Sequence, residues 1–174
     1  MPHAKHHAHD RPSVECIVVT VSDTRSPRSD RTGPWIRRAL EAGGHRVIEA
    51  RILPDEPRRI TAYLRGLARR RSAARVIVLT GGTGLAPRDR SYEAVDALIT
   101  RRLDGFGELF RMLSHRQVGS RAMLSRAVAG VFRGRILFSI PGSEAAVRLA
   151  MRRLILPELG HLAALLGEGG RPGR

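Results

Sequence analysis

Residues Leu79 to Ala94 read LTGGTGLAPRDRSYEA. The stretch leaves an apolar run, passes through three glycines in four positions, carries Arg88 and Asp89, and then resumes a helical pattern. A loop that only reversed the chain would need neither that much bare backbone nor the cation and carboxylate behind it. Glycines at this density suit a close approach of another group to the main chain.

The segments on either side of this loop set the fold class. RVIVLT (Arg75 to Thr80) leads into it as a strand, and Tyr92, Val95, Leu98 and Ile99 mark the helix that follows. Upstream, VECIVVTV (Val14 to Val21) predicts a buried strand and GPWIRRALEAGG a helix ended by Gly43 and Gly44. HRVIEARIL is a second strand, and Ile60, Tyr63, Leu64, Leu67 and Ala68 recur on one helical face. Downstream, VFRGRILFSI predicts a hairpin turning at Arg133 and Gly134, whose second arm is a fourth core strand. Val147, Ala150, Met151, Leu154 and Ile155 form another helical face. Leu103 to Gly130 fits no strand and reads as helical, with a turn near Gly119. Strands alternating with helices predict an α/β fold with a mainly parallel sheet covered on both sides. There is no repeat and no interior linker. One domain is expected over residues 14–166, between a 1–13 tail carrying His3, His6, His7 and His9 and a loose 167–174 tail.

Composition narrows the function classes. The chain has 174 residues, 42% of them hydrophobic and 27% charged, ordinary values for a globular domain. No apolar run approaches the roughly 20 residues of a membrane span, and MPHAKHHAHDRPS lacks a signal peptide's apolar centre, so a cytoplasmic protein is expected. The single cysteine, Cys16, excludes an internal disulfide and reads as a packed strand residue without chemistry. The net charge of +15 comes almost wholly from arginine, since Lys5 is the only lysine. A basic surface attracts phosphates, but 4% aromatic content leaves few platforms for stacking bases and no nucleic-acid motif is present. The arginines fall on most helices rather than in one stripe. A compositionally basic surface that draws in polyphosphates is expected, not a nucleic-acid face.

In an open α/β sheet, ligands bind beyond the carboxyl ends of the strands. Four loops leave those ends: SDTRSPRSDRTG, PDEP, GGTGLAPRDR and PGS. Each also has a structural reading. GGTGLAPRD is no P-loop, because no Lys-Ser/Thr pair follows its glycines, and it suits a tight turn as well as a phosphate. Asp55 of PDEP can cap the helix beginning near Pro57. Asp89 can cap the helix at Ser91, although Ser91 is the better-placed cap. Ser143 of PGS sits at a helix start, where capping and anion binding use the same free N–H groups. Asp23 and Asp30 can brace arginines or backbone, and spacing does not separate the two.

VSDTR, D.TG, PDE, LTGGTG, RD.S.EA, GFGELFRMLS, LSRAVAG and PGS occur in this order along the chain. Together, from about Val14 to Leu156, they resemble the MoaB/MogA family of molybdenum-cofactor biosynthesis proteins, with LFRMLS and LSRAVAG closer to the MoaB branch. The resemblance implies a three-layer α/β sandwich with a β-hairpin edge. It also implies adenylylation of molybdopterin: ATP and molybdopterin give adenylyl-molybdopterin and pyrophosphate, with Mg2+. On the matching positions, Asp55 and Asp89 would be the catalytic and metal-binding carboxylates. Gly81, Gly82, Thr83 and Gly84 would lie against phosphates or pterin. Arg88, Ser91, Ser125, Gly142 and Ser143 would contact ligand, and Glu108 would hold structure or an oligomer contact. A homotrimer or homohexamer and handover to a molybdate-inserting enzyme are further implications. The MoaB branch includes members without catalytic activity, so a non-catalytic molybdopterin-binding or scaffold protein is the alternative. The presence of both Asp55 and Asp89 favours the enzyme.

The residues agree with that chemistry on their own terms. A phosphate monoester is mostly ionised near neutral pH, with a second pKa of about 6, and needs no histidine to take its proton. Catalysis then rests on positioning and on neutralising charge at the attacked phosphorus. A glycine loop, Arg88 and carboxylate-held metal suit that need. Phe106, Leu109, Phe110 and Leu113 in GFGELFRML offer more apolar surface than one small helix needs, which points to self-association.

Overall fold

The strand that feeds the glycine loop, β3 (Val76–Thr80), is buried along its whole length, which is why it reads as continuously apolar. The protein, seen in a computed structural model, is described over residues 13–70, 73–87 and 89–168. Beside β3 lie β1 (Glu15–Val21) and β6 (Arg135–Ile140), both parallel to it. β2 (Arg46–Leu53) is the parallel edge beyond β1. β5 (Val128–Phe132) is antiparallel to β6, and the two-residue β4 (Arg101–Arg102) is antiparallel to β5, giving the order β2-β1-β3-β6-β5-β4. The hairpin turns at Arg133 and Gly134, as expected.

Alternation along the strands feeds two cores. Cys16, Val18, Val76, Val78 and Phe138 point to one face, where they meet Ile36 and Leu40 of α1 (Thr32–Ala42), Phe106 and Phe110 of α4 (Asp104–Val118), and Val147 of α5 (Glu144–Ala150). A π-helical turn, Met151–Ile155, runs on into α6 (Leu156–Glu168) on the same side. Ile17, Val19, Ile77, Leu79 and Leu137 point the other way, against Ile60, Leu64 and Leu67 of α2 (Pro57–Arg69) and Val95 of α3 (Ser91–Asp96). The result is the expected three-layer sandwich. Burial pushes the Cys16 thiol up to about 12, so it stays protonated and inert. Among the described residues no helix is long and apolar enough to cross a membrane.

Several expectations are corrected. The helix after the glycine loop stops at Asp96, before Leu98 and Ile99, because the chain must reach β5: Thr100 N donates to Val131 O at 2.8 Å. The span from Leu103 to Gly130 ends in strand from Val128, and it contains α4 followed by a 3-10 segment, Gly119–Leu124, at the expected turn. Helix α6 continues to Glu168, two residues into the segment read as a loose tail. Phe106 and Phe110 are buried core, so the apolar surplus of α4 is carried by Leu109 and Met112 instead. Arg88, the His3, His6, His7 and His9 tract and residues 169–174 lie outside the described residues.

Candidate functional site

Strand register brings the four loops to one rim. Thr20 pairs with Thr80, Thr80 with Ile140, and Val21 with Leu53, so the strands end level. Beyond them opens a cleft of about 600 Å³. Its walls are Asp23, Thr24 and Arg25 after β1, Asp55 after β2, Gly81 to Gly84 and Asp89 after β3, Pro141 to Ser143 after β6, and Leu124 and Ser125 at the end of the 3-10 segment.

The glycine loop takes its shape from backbone that other residues cannot easily adopt. Gly81 and Gly82 have φ of +106° and +63°. A Cβ on Gly81 would stand 2.2 Å from Val21 O, and one on Gly82 would stand 2.3 Å from Asp55 Oδ2. Close approach is therefore real here, and the approaching groups include the chain's own carboxylate. A Cβ on Gly84 would likewise lie 2.4 Å from Asp89 Oδ2.

All four carbonyls of this loop are occupied. Ser91 Oγ donates to Gly81 O at 2.6 Å and Ser91 N to Gly82 O at 2.9 Å. Arg126 donates through Nε to Thr83 O at 3.0 Å and through Nη2 to Gly84 O. Arg126 also donates to Asp89 O at 3.0 Å, pairs with Glu93, and stacks 5.1 Å over the Tyr92 ring. By contrast, the N–H groups of Gly82, Thr83 and Gly84 donate to nothing among the described residues. Three successive free donors on a cleft wall form a nest for anionic oxygens.

The carboxylates divide their work. Asp30 is buried, and it accepts from Thr20 Oγ1 at 2.6 Å and from Thr32 N and Gly33 N at 3.0 and 3.2 Å. It also lies 3.6 Å from Arg25 Nη1, so it braces backbone and arginine together and anchors the start of α1. Arg25 in turn donates to Thr32 Oγ1 at 2.5 Å and to Gly142 O at 3.0 Å, tying the first loop to PGS. Asp23 accepts from Asp55 N at 3.0 Å. Asp55 and Asp89 both face the cleft, and Asp89 Oδ2 accepts from Ala86 N at 3.3 Å.

Two capping expectations are corrected. Glu56, not Asp55, holds the N-cap position of α2, without a side-chain cap bond, because Asp55 is drawn toward Gly82 instead. Arg90 holds that position for α3, and Ser91, fully buried, spends its hydroxyl on Gly81 O. Ser91 therefore shapes the loop from beneath and does not line the cleft. Ser143 caps α5 as expected, accepting from Ala146 N at 3.3 Å. Gly142 meets Gly81 across the cleft floor, where a Cβ would lie 3.1 Å from Gly81 Cα.

The cleft has room for a divalent cation shared with a ligand. Magnesium is usually held by one or two carboxylates, with phosphates and water completing its shell. Asp55 and Asp89 over the nest fit that pattern, and among the described residues no group of three or more potential ligands forms an all-protein cage. Arg25 and Arg126 were not singled out in the sequence, although both stand in the quoted motifs, VSDTR and LSRAVAG. Burial pushes the Glu93 carboxyl up, but hydrogen bonds from Arg126 and the backbone, with the charges of Arg126 and Arg90, outweigh it and leave the carboxyl below its ordinary value.

Comparison with known proteins adds an independent line. Residues 17–161 match the family described as "Probable molybdopterin binding domain". Molybdenum cofactor biosynthesis protein B of Halalkalibacterium halodurans is 48% identical over 151 residues, covering 86% of this chain and 88% of that relative. Its Staphylococcus aureus namesake is 47% identical over 153 residues, covering 86% and 90%. A crystal structure of Molybdenum cofactor biosynthesis protein B superposes with a TM-score of 0.87 at 42% identity, covering 91% of this chain and 99% of that one. The tungsten cofactor synthesizing protein MoaB from Pyrococcus furiosus gives 0.80 at 34% identity, covering 88% and 97%.

Proposed function

Because the chain belongs to the MoaB/MogA family of molybdopterin-binding, molybdenum-cofactor biosynthesis proteins, we propose that it is a cytoplasmic molybdopterin adenylyltransferase. The reaction joins the terminal phosphate of molybdopterin to the α-phosphorus of ATP and releases pyrophosphate. A phosphate oxygen forms the new bond to the α-phosphorus while the bond from that phosphorus to the bridging oxygen of the β-phosphate breaks. No proton need be removed, since the attacking phosphate is already ionised. That no histidine lines the cleft among the described residues therefore suits the reaction.

The observation that carries this reading is the nest of Gly82, Thr83 and Gly84 N–H groups beside two cleft-facing carboxylates. The nest binds and orients phosphate oxygens and stabilises the charge that builds on them. Arg126 and Ser91 hold the nest rigid from the opposite side, so little reorganisation is needed when substrate arrives. Arg25 fixes the PGS loop and adds positive charge to the wall. Ser125, Gly142 and Ser143 line the remainder and would contact the pterin or nucleotide, a role that Arg88, in the GGTGLAPRDR segment, would share. Asp55 and Asp89 would hold Mg2+, which when bound neutralises phosphate charge. Leu109, Met112 and Met123 are exposed and Leu124 is exposed at the cleft wall, and these apolar side chains suit a homotrimer or homohexamer. The product then passes to a molybdate-inserting enzyme.

The test is incubation with molybdopterin, ATP and Mg2+, followed by mass analysis for the adenylylated pterin. Asp89→Asn should keep the fold and pterin binding yet lower turnover by about two orders of magnitude, the usual effect of losing about 3 kcal/mol of positioned electrostatics. Binding of molybdopterin without product at any ATP concentration would make the chain a non-catalytic pterin carrier or scaffold.

A further inference from the structure

At the end of the sheet opposite this cleft, two adjoining grooves share Arg65, Phe132 and Arg133. The larger encloses about 730 Å³ and the smaller about 460 Å³. Five arginines line them: Arg65 and Arg69 of α2, Arg75 before β3, Arg101 of β4, and Arg133 at the hairpin turn. Among the described residues no aspartate or glutamate lines them.

An arginine-rich composition alone does not produce this arrangement. Elsewhere on the surface Arg37, Arg46, Arg59, Arg102 and Arg148 are each paired with a carboxylate. Exposed arginines without an ion pair, such as Arg38 and Arg153, also stand outside the groove, so what marks it is five guanidiniums gathered around one apolar floor. None of the five groove guanidiniums makes an ion pair or hydrogen bond among the described residues. Arg135 lies buried beside them, donating to Ala74 O at 3.1 Å and Arg133 O at 3.4 Å, and adds a further positive charge. Arg133 moreover holds φ of +48° just before Gly134, where a hairpin ordinarily takes Asn, Asp or Gly. Keeping arginine there strains the backbone.

The floor is apolar. Leu98, Val131 and Leu166 are part-buried, and Leu165 is 52% exposed. We propose that this groove docks an acidic, amphipathic segment of a partner protein. Carboxylates on such a segment match the unpaired arginines, and its apolar face covers Leu165. A nucleic acid would meet the charge but find no stacking surface. Trp35, Tyr63 and Tyr92 stack with arginines elsewhere, and all four phenylalanines are buried. Residues 1–12 and 169–174 of this chain are poor occupants, because they hold Lys5, Arg11, Arg171 and Arg174 against one acidic side chain, Asp10. A second copy placed groove to groove would set five arginines against five. Docking at this end leaves the molybdopterin cleft open.

The full-length protein can be titrated by fluorescence anisotropy with a labelled helical peptide that carries leucines on one face and glutamates on the other. Comparators are a glutamate-only peptide of equal length, tripolyphosphate and a single-stranded oligonucleotide. The amphipathic peptide should bind best, and more weakly as salt rises. Arg101→Gln combined with Arg133→Gly, where glycine relieves the left-handed turn, should weaken it by about tenfold, and Leu165→Glu by a similar factor. Arg38→Gln with Arg153→Gln, exposed arginines away from the groove, should leave it unchanged, and molybdopterin affinity should be unchanged in all three variants. Equal losses in the groove and control variants would show diffuse attraction to a basic chain and overturn the proposal. So would groove variants that bind the peptide as well as the parent does. If the glutamate-only peptide, tripolyphosphate or the oligonucleotide binds the parent as tightly as the amphipathic peptide does, the protein-segment assignment is wrong.

Discussion

Replacing Arg126 with alanine tests whether the glycine loop is held in place from behind. The side chain is 22% exposed and donates to the carbonyls of Thr83, Gly84 and Asp89, while its pairing with Glu93 is half in solvent. A hydrogen bond from a charged donor contributes about 1.5–3 kcal/mol, and water reaching the vacated space restores part of that. The exposed ion pair adds well under about 1 kcal/mol. A net loss of about 2–3 kcal/mol follows, because Thr83 is buried and its carbonyl is the hardest to rehydrate. For a chain of this size that lowers Tm by about 4–12 °C. The effect on chemistry should be larger than the effect on stability. Without the clamp the nest shifts relative to Asp55 and Asp89, and misplacement of about 1 Å costs about a hundredfold in turnover. Arg126→Lys keeps the charge but lacks the planar fork that spans three carbonyls, so it should recover the Glu93 pair and little turnover. Calorimetry, molybdopterin affinity and adenylyl-transfer rate on the three proteins give the answer. A variant with lowered Tm and turnover within about threefold of the parent would show that Arg126 stabilises the fold without positioning the loop. An unchanged Tm would refute the hydrogen-bond argument itself.

Gly82→Ala places a Cβ 2.3 Å from Asp55 Oδ2 at a φ of +63°, so it should cost about 1 kcal/mol in strain and displace the carboxylate. Differential scanning calorimetry should show a small loss, while transfer assays show at least about a hundredfold. Because the Glu93 carboxyl sits below its ordinary 4.5, its ionised form is favoured by folding. Its contribution is complete above that value and lost as pH falls below it, so Glu93→Gln and the parent should differ in urea stability at neutral pH and converge in acid. Sedimentation should give three or six times the 19.2 kDa chain, and Leu109→Glu with Met112→Glu should give single chains; a single-chain mass for the unaltered protein at micromolar concentration would remove the assembly proposal.

Much of the architecture can be read without coordinates, and the reason is periodicity. VIVLT is buried on both faces, so it can only be an inner strand, and Ile60, Leu64 and Leu67 recur at helical spacing because one face of α2 covers Ile77 and Leu79. The four polar loops were equally visible, since parallel strands of matched register must deliver their carboxyl ends to one rim. Which of a loop's groups face the ligand was not visible. Asp55 reads as a helix cap and Ser91 as another, and both are claimed instead by the glycine loop, from opposite sides. Asp23 and Asp30 look interchangeable in sequence, yet one meets a loop N–H and the other is buried beneath α1. Arg126 lies 42 residues beyond Gly84 in sequence and touches it only because β5 returns beside β6. The segregation of Arg65, Arg101 and Arg133 into one groove likewise depends on three elements far apart in the chain. Local pattern decides which face of an element is buried, because burial follows the geometry of a single helix or strand. Partners across the fold are chosen by packing, and only the tertiary structure names them.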